Sequence, residues 1–539
     1  MKRKITGAYL AILTVLVAST LTGCIHERPL SATNKIEALL QVIEQQYVDT
    51  VDIEAIVEQT LPKVLSELDP HSVYIPAQKV EESNQELKGS FSGIGIQFMI
   101  QSDTIYVSNI IHGGPAEKVG LMAGDRIVTI DDSLYVGKKI SNDGAMKRLK
   151  GPKGSEVRLG IKRYGEKELL TYTIKRGNIP VKSVDATYMI DDRWCYIKIN
   201  KFGETTYPEM LIALAQGIQK GTQGCIIDLR GTTGGYMGAA IQMVNEFLPK
   251  GEMIVYTEGE NAPRYEEYAN GGGSCQQMPI VVLTDETSAS ASEIFAGAIQ
   301  DNDRGTIIGR RTFGKGLVQQ PIEFEDGSAI RLTIARYYTP SGRCIQKPYT
   351  NGHSEEYELD LLNRYEHGEF FTQDSIKQDE STAYKTKNGR TVYGGGGIMP
   401  DIFVPQDTAG YTSYYASVAK MGLFTQFPFQ YTDKNRQKLA QYTTMDDLLQ
   451  YLKGENLLEE FVQHATSKGI KRRNNLISKS RAVMEDILYG NIIYNMLGME
   501  EYIKYLNLTD PAVLKAVEVL DDGKSRPTVE GLWTMNDGR

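Results

Sequence analysis

At 539 residues the chain is long enough for several domains. Its apolar (41%) and charged (24%) fractions are ordinary for a globular protein, and a formal charge of −9 argues against a nucleic-acid partner. Beyond residue 24 no apolar run approaches membrane-spanning length.

The N-terminus reads as a targeting segment. Lys2, Arg3 and Lys4 form a basic start, and Ala8 to Leu21 is an apolar run short for a span. Leu21-Thr22-Gly23-Cys24 follows and resembles a bacterial lipoprotein box. That resemblance implies cleavage before Cys24, a lipid on its sulfur, and an exported protein held to a membrane of the cell envelope. The alternative is a plain signal peptide that happens to contain a cysteine. Residues 1–23 are set aside from the fold and 24–34 are read as a tether.

Residues 35–88 are predicted to be helical. Ile36, Leu39, Leu40 and Ile43 recur at helical spacing, as do Ile56, Val57, Leu61, Val64 and Leu65. Pro62 predicts a kink or a division into two helices. The region ends at Leu68-Asp-Pro-His-Ser-Val-Tyr74.

Residues 89–176 form a separate small module of short strands and turns. Gly93-Ile94-Gly95-Ile96 opens an extended segment, His112-Gly-Gly-Pro-Ala116 makes a turn, and Gly120-Leu-Met-Ala-Gly-Asp-Arg-Ile127 leads into a strand. The module resembles a PDZ domain. The resemblance implies that backbone amides of Gly93, Ile94, Gly95 and Ile96 capture a peptide's terminal carboxylate while the peptide adds a strand to a sheet edge. Taken alone, the glycines only shape a tight turn.

Residues 177–405 alternate strands and helices, which predicts an α/β body with a partly parallel sheet. The apolar strand Gly224 to Leu229 runs into Arg230-Gly-Thr-Thr-Gly-Gly235. This glycine-rich turn lacks the P-loop lysine and the dinucleotide spacing, so nucleotide binding is disfavoured. The polar stretch Glu258 to Gly273 predicts a mobile loop. A second apolar strand, Ile280 to Leu283, leads to serines at alternate positions, Ser288, Ser290 and Ser292, and then to a helix, Glu293 to Ile299, with one apolar face. A hydroxyl between strand and helix lies at a helix N-terminus, where free amides and the dipole stabilise an oxyanion. The nearby candidate base is Lys315, flanked by glycines, which needs a lowered pKa to accept a proton. Ser290 with Glu293 also fits a capping box, and the two readings are compatible.

Ser288-Ala-Ser-Ala-Ser-Glu-Ile294, Ala296-Gly-Ala-Ile-Gln-Asp301 and Thr312-Phe-Gly-Lys-Gly-Leu-Val-Gln319 together resemble the carboxyl-terminal processing, or tail-specific, serine proteases. The resemblance covers roughly residues 35–405 and implies Ser290 as nucleophile, Lys315 as general base and Gln319 as the residue that orients the lysine. It implies an oxyanion site from Gly234 or Gly235 with Ala291; the family usually has asparagine near Thr232 or Thr233, so threonine here departs from its pattern. It also gives His71 a structural place in its turn. The implied activity is endopeptidase cleavage of proteins held by their C-termini, with no cofactor.

Asn351 to Asn388 is charged and poor in apolar residues, which predicts an exposed insertion. Gly394-Gly-Gly-Gly-Ile-Met-Pro-Asp401 resembles the same family's GGxGIxPD motif, and the resemblance implies that it closes the core. Residues 406–539 are predicted to be a helical domain whose leucine stripes imply a packed bundle or an oligomer contact. The spacings of Cys195, Cys225, Cys275 and Cys344 match no zinc pattern, and the histidines form no ligand set. Two other functions stay open: a catalytically silent PDZ scaffold, and a hydrolase using His71 or His112 as base.

Overall fold

The computed structural model describes residues 32–528 apart from 86, 102, 138, 139 and 378; Cys24 and the targeting segment lie outside the described residues. The chain divides into residues 1–65 and 66–539. In the first unit, helices Ala32–Gln46 and Ile53–Ser66 match the expected pair, the first beginning inside the stretch read as a tether and the second running through Pro62. Of the predicted stripe, Ile36 and Leu39 are more than half exposed and Leu40 and Ile43 are half-buried.

The body of the second unit is a six-stranded sheet. Strands β1 (Val184–Met189) and β2 (Trp194–Ile199) pair antiparallel. From β2 onward β3 (Gly224–Asp228), β4 (Ile280–Thr284), β5 (Thr306–Gly309) and β6 (Ile402–Phe403) follow side by side in parallel. All residues of β3, β4 and β5 are buried, as continuous apolar runs in a parallel sheet require. Such a sheet needs cover on both faces. Helices α1 (Thr206–Gln219), α2 (Met237–Asn245) and α3 (Ala291–Asp301) supply one layer, sharing a core with Ile197, Ile227 and Val282. The other face, with Ile226, Val281, Leu283 and Ile308, is closed by Val513, Ala516 and Leu520 of α4 (Pro511–Asp521). The expected helical tail is therefore not one body: its last helix completes the sheet.

A second sheet orders Val73–Ile75, Ala329–Tyr338, Met253–Gly259 and Ala262–Tyr268, with Leu317–Glu323 also paired to Ala329–Tyr338. Helix α3 is buried at every residue, not on one face as expected. The segment expected as a mobile loop after Glu258 is instead the edge strand Ala262–Tyr268; its charges fit because most of its residues stand in solvent. The expected exposed insertion also folds back, as helix Ser354–Glu366 with Tyr357 and Arg364 buried. All four described cysteines are free thiols, with Cys195 and Cys225 on facing positions of β2 and β3.

The small module enters and leaves through an antiparallel pair, Ser90–Gly93 with Gly177–Pro180. Its sheet runs Ile96–Gln101, Thr104–Ile110, Arg126–Ile130, Glu156–Lys162, Leu170–Lys175, which leaves Ile96–Gln101 as a free edge. Helices between Ser413 and Asn507 enclose a separate core around Leu448, Phe461, Leu488 and Ile492. No described helix is long and apolar enough to cross a membrane.

The small module rests on this helical domain. Arg126 pairs with Asp433 at 2.7 Å, Tyr106 meets Phe429 edge-on at 5.4 Å, and the Tyr494 hydroxyl donates to Gln97 at 3.0 Å. Asp433 is 10% exposed, so Asp433→Ala leaves the guanidinium without its partner in a partly dry contact. The expected cost is about 1–3 kcal/mol, and the measurement is hydrogen exchange, which should accelerate across residues 96–175 with the sheet of the main body unchanged.

Candidate active site

The turn between β4 and α3 selects one serine of three. The hydroxyls of Ser288 and Ser292 are buried and donate to the Leu229 and Thr232 carbonyls at 2.9 and 2.8 Å. Ser290 is half-buried and sits at φ 57°, ψ −114°, a conformation L-residues rarely adopt. Strand, strained residue and helix in succession display its side chain at the α3 N-terminus. Only the Glu293 half of the expected capping box meets strict geometry: its carboxylate accepts from the Ser290 amide at 2.8 Å.

That carboxylate does more than cap. Fully buried Glu293 also accepts from the Thr312 hydroxyl at 2.5 Å and from the Gly314 and Lys315 amides at 2.7 and 2.8 Å. Burial pushes its pKa up to about 7, against four donors that favour the ionised form. The Tyr337 hydroxyl stands within hydrogen-bond reach of the Ser290 carbonyl, at 3.0 Å, and of the Lys315 carbonyl. Ser290 and Lys315, 25 positions apart in sequence (315 − 290), are thus joined amide to amide through one carboxylate and carbonyl to carbonyl through one phenol.

The Lys315 ammonium donates to Gln319 Oε1 at 3.1 Å, and Gln319 Nε2 donates to the His71 carbonyl. Burial first, then the Arg331 cation, lowers the Lys315 pKa from its ordinary 10.5. Asp69 holds the His71 turn, accepting from the His71 and Ser72 amides at 2.8 and 2.9 Å and from Thr333 Oγ1 at 3.0 Å. His71 Nε2 meets the Tyr357 hydroxyl at 2.8 Å, and burial drops its pKa to about 4, so the ring is neutral and turned to the tyrosine. His112 sits at the surface of the small module and pairs with Glu117. Neither histidine is offered to Ser290.

The glycine turn after β3 lies against the serine. A side chain at Gly234 would fall 2.7 Å from Ser290 Cβ and 3.0 Å from the Ala291 nitrogen. The amides of Gly234, Gly235 and Ala291 donate to no acceptor among the described residues. Thr232, at one of the positions where the resemblance points to asparagine, is locked inward: its hydroxyl donates to the Ile199 carbonyl at 2.6 Å and its carbonyl takes the Ala289 amide at 3.1 Å. Arg230 fixes the turn from behind, pairing with Asp228 and Asp510 at 2.7 Å each.

In the small module, the Ile94 and Gly95 carbonyls point inward to the Ala116 and Ile111 amides at 2.8 and 3.0 Å. The Ile94 and Gly95 amides find no described acceptor, and Gly95 has φ 82°. Gly93 ends the entry strand and Ile96 begins the free edge. The arrangement can receive an anion and an added strand.

Sequence reasoning saw Glu293 only as a cap and missed Tyr337 altogether. The spacing of Ser290 and Glu293 was the available signal for the first; for Tyr337, in a strand of ordinary alternation, there was none. Glu293→Gln places an amide donor among four donors. The expected outcome is a loss of about 2–4 kcal/mol of stability together with a fall in kcat of about a hundredfold or more, read by denaturant unfolding and steady-state peptide hydrolysis.

Peptidase family S41 matches residues 193–355, a PDZ domain matches 82–162, and a family of unknown function matches 414–498. A carboxy-terminal-processing protease of Bartonella bacilliformis is 35% identical over 64% of this chain and 79% of its own. The carboxy-terminal processing protease CtpA of Bacillus subtilis is 31% identical over 72% of this chain and 87% of its own. Among solved structures, a photosystem II D1 C-terminal processing protease is 26% identical, covers 58% of this chain and 89% of its own, and superposes with a TM-score of 0.33. The chain belongs to peptidase family S41, the family of the carboxy-terminal-processing proteases, and is a serine peptidase carrying a PDZ domain.

Proposed function

We propose that the protein is a tail-specific endopeptidase of the cell envelope that cleaves through a Ser290–Lys315 dyad. The observation that carries this reading is the double bridge: Glu293 takes the amides of both residues and Tyr337 reaches both carbonyls, so a displayed hydroxyl and a desolvated amine share one rigid frame.

In this reading Ser290 Oγ attacks the scissile carbonyl as its proton passes to the uncharged Lys315 amine. The Ala291 and Gly234 amides, with that of Gly235 beside them, receive the oxyanion. The intermediate collapses, the ammonium returns the proton to the departing amine, and an ester on Ser290 remains. Water then attacks the ester, with Lys315 again taking a proton. Gln319, held by the His71 carbonyl, keeps the amine on station. The PDZ domain selects the substrate: the amides of the Gly93–Ile96 loop bind a free C-terminal carboxylate, and the peptide pairs with the open edge Ile96–Gln101. Lipid on Cys24 would tether the mature chain to a membrane, which supports a place in the envelope, and protein tails are the partners this chemistry needs.

Wild-type protein should hydrolyse a denatured protein substrate, while Ser290→Ala and Lys315→Ala lose about 10⁴-fold in kcat/KM. Undiminished hydrolysis in both variants would leave a tail-binding scaffold contaminated by another peptidase. Only the free amine is a base, so activity should climb with pH through the depressed Lys315 pKa and hold above it; a maximum on the acid side excludes this base. The same shift sets stability. Because the folded pKa lies below the unfolded value of 10.5, the cost of burying the cation is fully present below the folded pKa and fades as pH rises toward 10.5. Lys315→Met should therefore melt no lower than wild type at neutral pH. Amidating a substrate's C-terminus removes one charge-assisted hydrogen-bond set, worth about 1.5–3 kcal/mol, so affinity should drop about 10- to 100-fold by calorimetry with the Ser290→Ala protein.

A further inference from the structure

The helix Ser354–Glu366 buries polar side chains and leaves apolar ones in solvent. Leu359, Leu362 and Tyr365 are half exposed, while Tyr357 and Arg364, on one face of the helix, are 5% and 6% exposed. Burying a phenol and a guanidinium is costly unless their polar atoms find partners. Arg364 finds the Thr312 and Arg311 carbonyls and Glu369. Tyr357 finds partners that lead to the catalytic lysine.

The Tyr357 hydroxyl stands 2.8 Å from His71 Nε2 and 3.4 Å from Gln346 Nε2. Gln346 Oε1 accepts from the Gly316 amide at 2.8 Å, so its Nε2 is the donor to the phenol. The neutral His71 ring has one nitrogen free to accept, so the phenol proton points there. Burial raises the Tyr357 pKa above its ordinary 10.0, which keeps that proton on the oxygen through the neutral range.

Both partners hold Lys315. The His71 carbonyl accepts from Gln319 Nε2, and Gln319 Oε1 accepts from the Lys315 ammonium at 3.1 Å. Gln346 holds the amide of Gly316, the residue after the lysine. The carbonyl of Gly314, the residue before it, accepts from the Lys347 amide at 2.9 Å. The Lys347 ammonium in turn donates to the Tyr357 carbonyl at 3.1 Å and lies 4.0 Å from the centres of the Tyr357 and Phe313 rings. The tyrosine is therefore tied to the base at the tip of its side chain and to the backbone on either side of it.

We propose that Tyr357 is a positioning residue for the Lys315 base, its hydroxyl bridging His71 and Gln346 so that Gln319 fixes the amine and Gly316 fixes the lysine backbone. The proposal rests on the Ser290–Lys315 reading. Burial is the largest cause of the lowered Lys315 pKa, followed by Arg331, while Glu293 and Asp69 act in the opposite direction. An amine that slackens toward water regains solvation, and its pKa climbs back toward 10.5.

The test is steady-state peptide hydrolysis as a function of pH, well below each protein's Tm, by the full chain as wild type, Lys315→Ala, Tyr357→Phe, His71→Ala and the Tyr357→Phe/His71→Ala double variant. Tyr357→Phe keeps the ring beside Phe313 and Lys347 and removes the hydroxyl. His71→Ala keeps the carbonyl that Gln319 needs and removes the ring that meets the phenol. The expected result for Tyr357→Phe is a fall in kcat of about 10- to 100-fold with KM unchanged. The inflection in kcat/KM, which reports the base of the free enzyme, should move to higher pH. The loss in the double variant should fall well short of the product of the two single losses, because both cut one link. Should Tyr357→Phe fail to fold, the displacement of the inflection in His71→Ala decides. A wild-type kcat and inflection in Tyr357→Phe overturn the proposal and leave the peptidase reading intact, as does a fall in kcat with the inflection unmoved, which marks a general structural defect. Independent, multiplying losses in the double variant also overturn it. A Lys315→Ala protein that hydrolyses like wild type overturns both the proposal and the reading beneath it.

Discussion

The site depends on one buried carboxylate. Glu293 collects the amides of Ser290, Gly314 and Lys315 and the hydroxyl of Thr312, and these four donors come from two chain segments, the Ser290 turn and the Thr312–Lys315 loop. In water such a cluster would be worth little. Inside the protein, where nothing else can serve those amides, breaking it costs the desolvation of every orphaned group. The strain at Ser290 is held by the same means: a backbone at φ 57° persists because its amide and carbonyl are both occupied, by Glu293 and by Tyr337.

Around that frame, each neighbouring element removes one freedom. Ser288 and Ser292 pin the turn to the glycine loop after β3, so the serine and the amides at Gly234 and Ala291 move together. The Asp69 turn, arriving from the start of the body, fixes the His71 carbonyl, which fixes Gln319, which faces the lysine. The result is a chain of neutral and charged hydrogen bonds with no histidine ring in it. Burial lowers the pKa of the lysine amine at the end of that chain from its ordinary value.

Much of this was legible in the residues and the rest has definite reasons for being hidden. Continuous apolar runs gave the strands β3 and β4, because a sheet buried on both faces leaves such a signature. Small residues around Ser290 marked a turn where a side chain must be displayed. The strand Ala262–Tyr268 was hidden because an edge strand in solvent carries the composition of a loop. The insertion helix misled in the same way: its charged face conceals Tyr357 and Arg364, and Arg364 donates to the Thr312 and Arg311 carbonyls beside the active site at 3.0 and 2.8 Å. That the helix Pro511–Asp521 covers the sheet is not legible in the residues, because periodicity reports that a face is apolar, not what covers it.

That helix also explains how the helical domain and the protease body act as one structure. Between the bundle core and α4 the chain must return to the sheet, and it does so at Asp510, which caps α4 through the Ala512 and Val513 amides and pairs with Arg230. Arg230 in turn is held by Asp228 at the end of β3, directly before the glycine turn. One carboxylate thus starts the helix that seals the sheet and steadies the loop whose amides face Ser290. The PDZ domain leans on the bundle through Arg126 and Asp433. The bundle thus touches the PDZ domain directly, while the chain that leaves it reaches the loop facing Ser290 through Asp510 and Arg230.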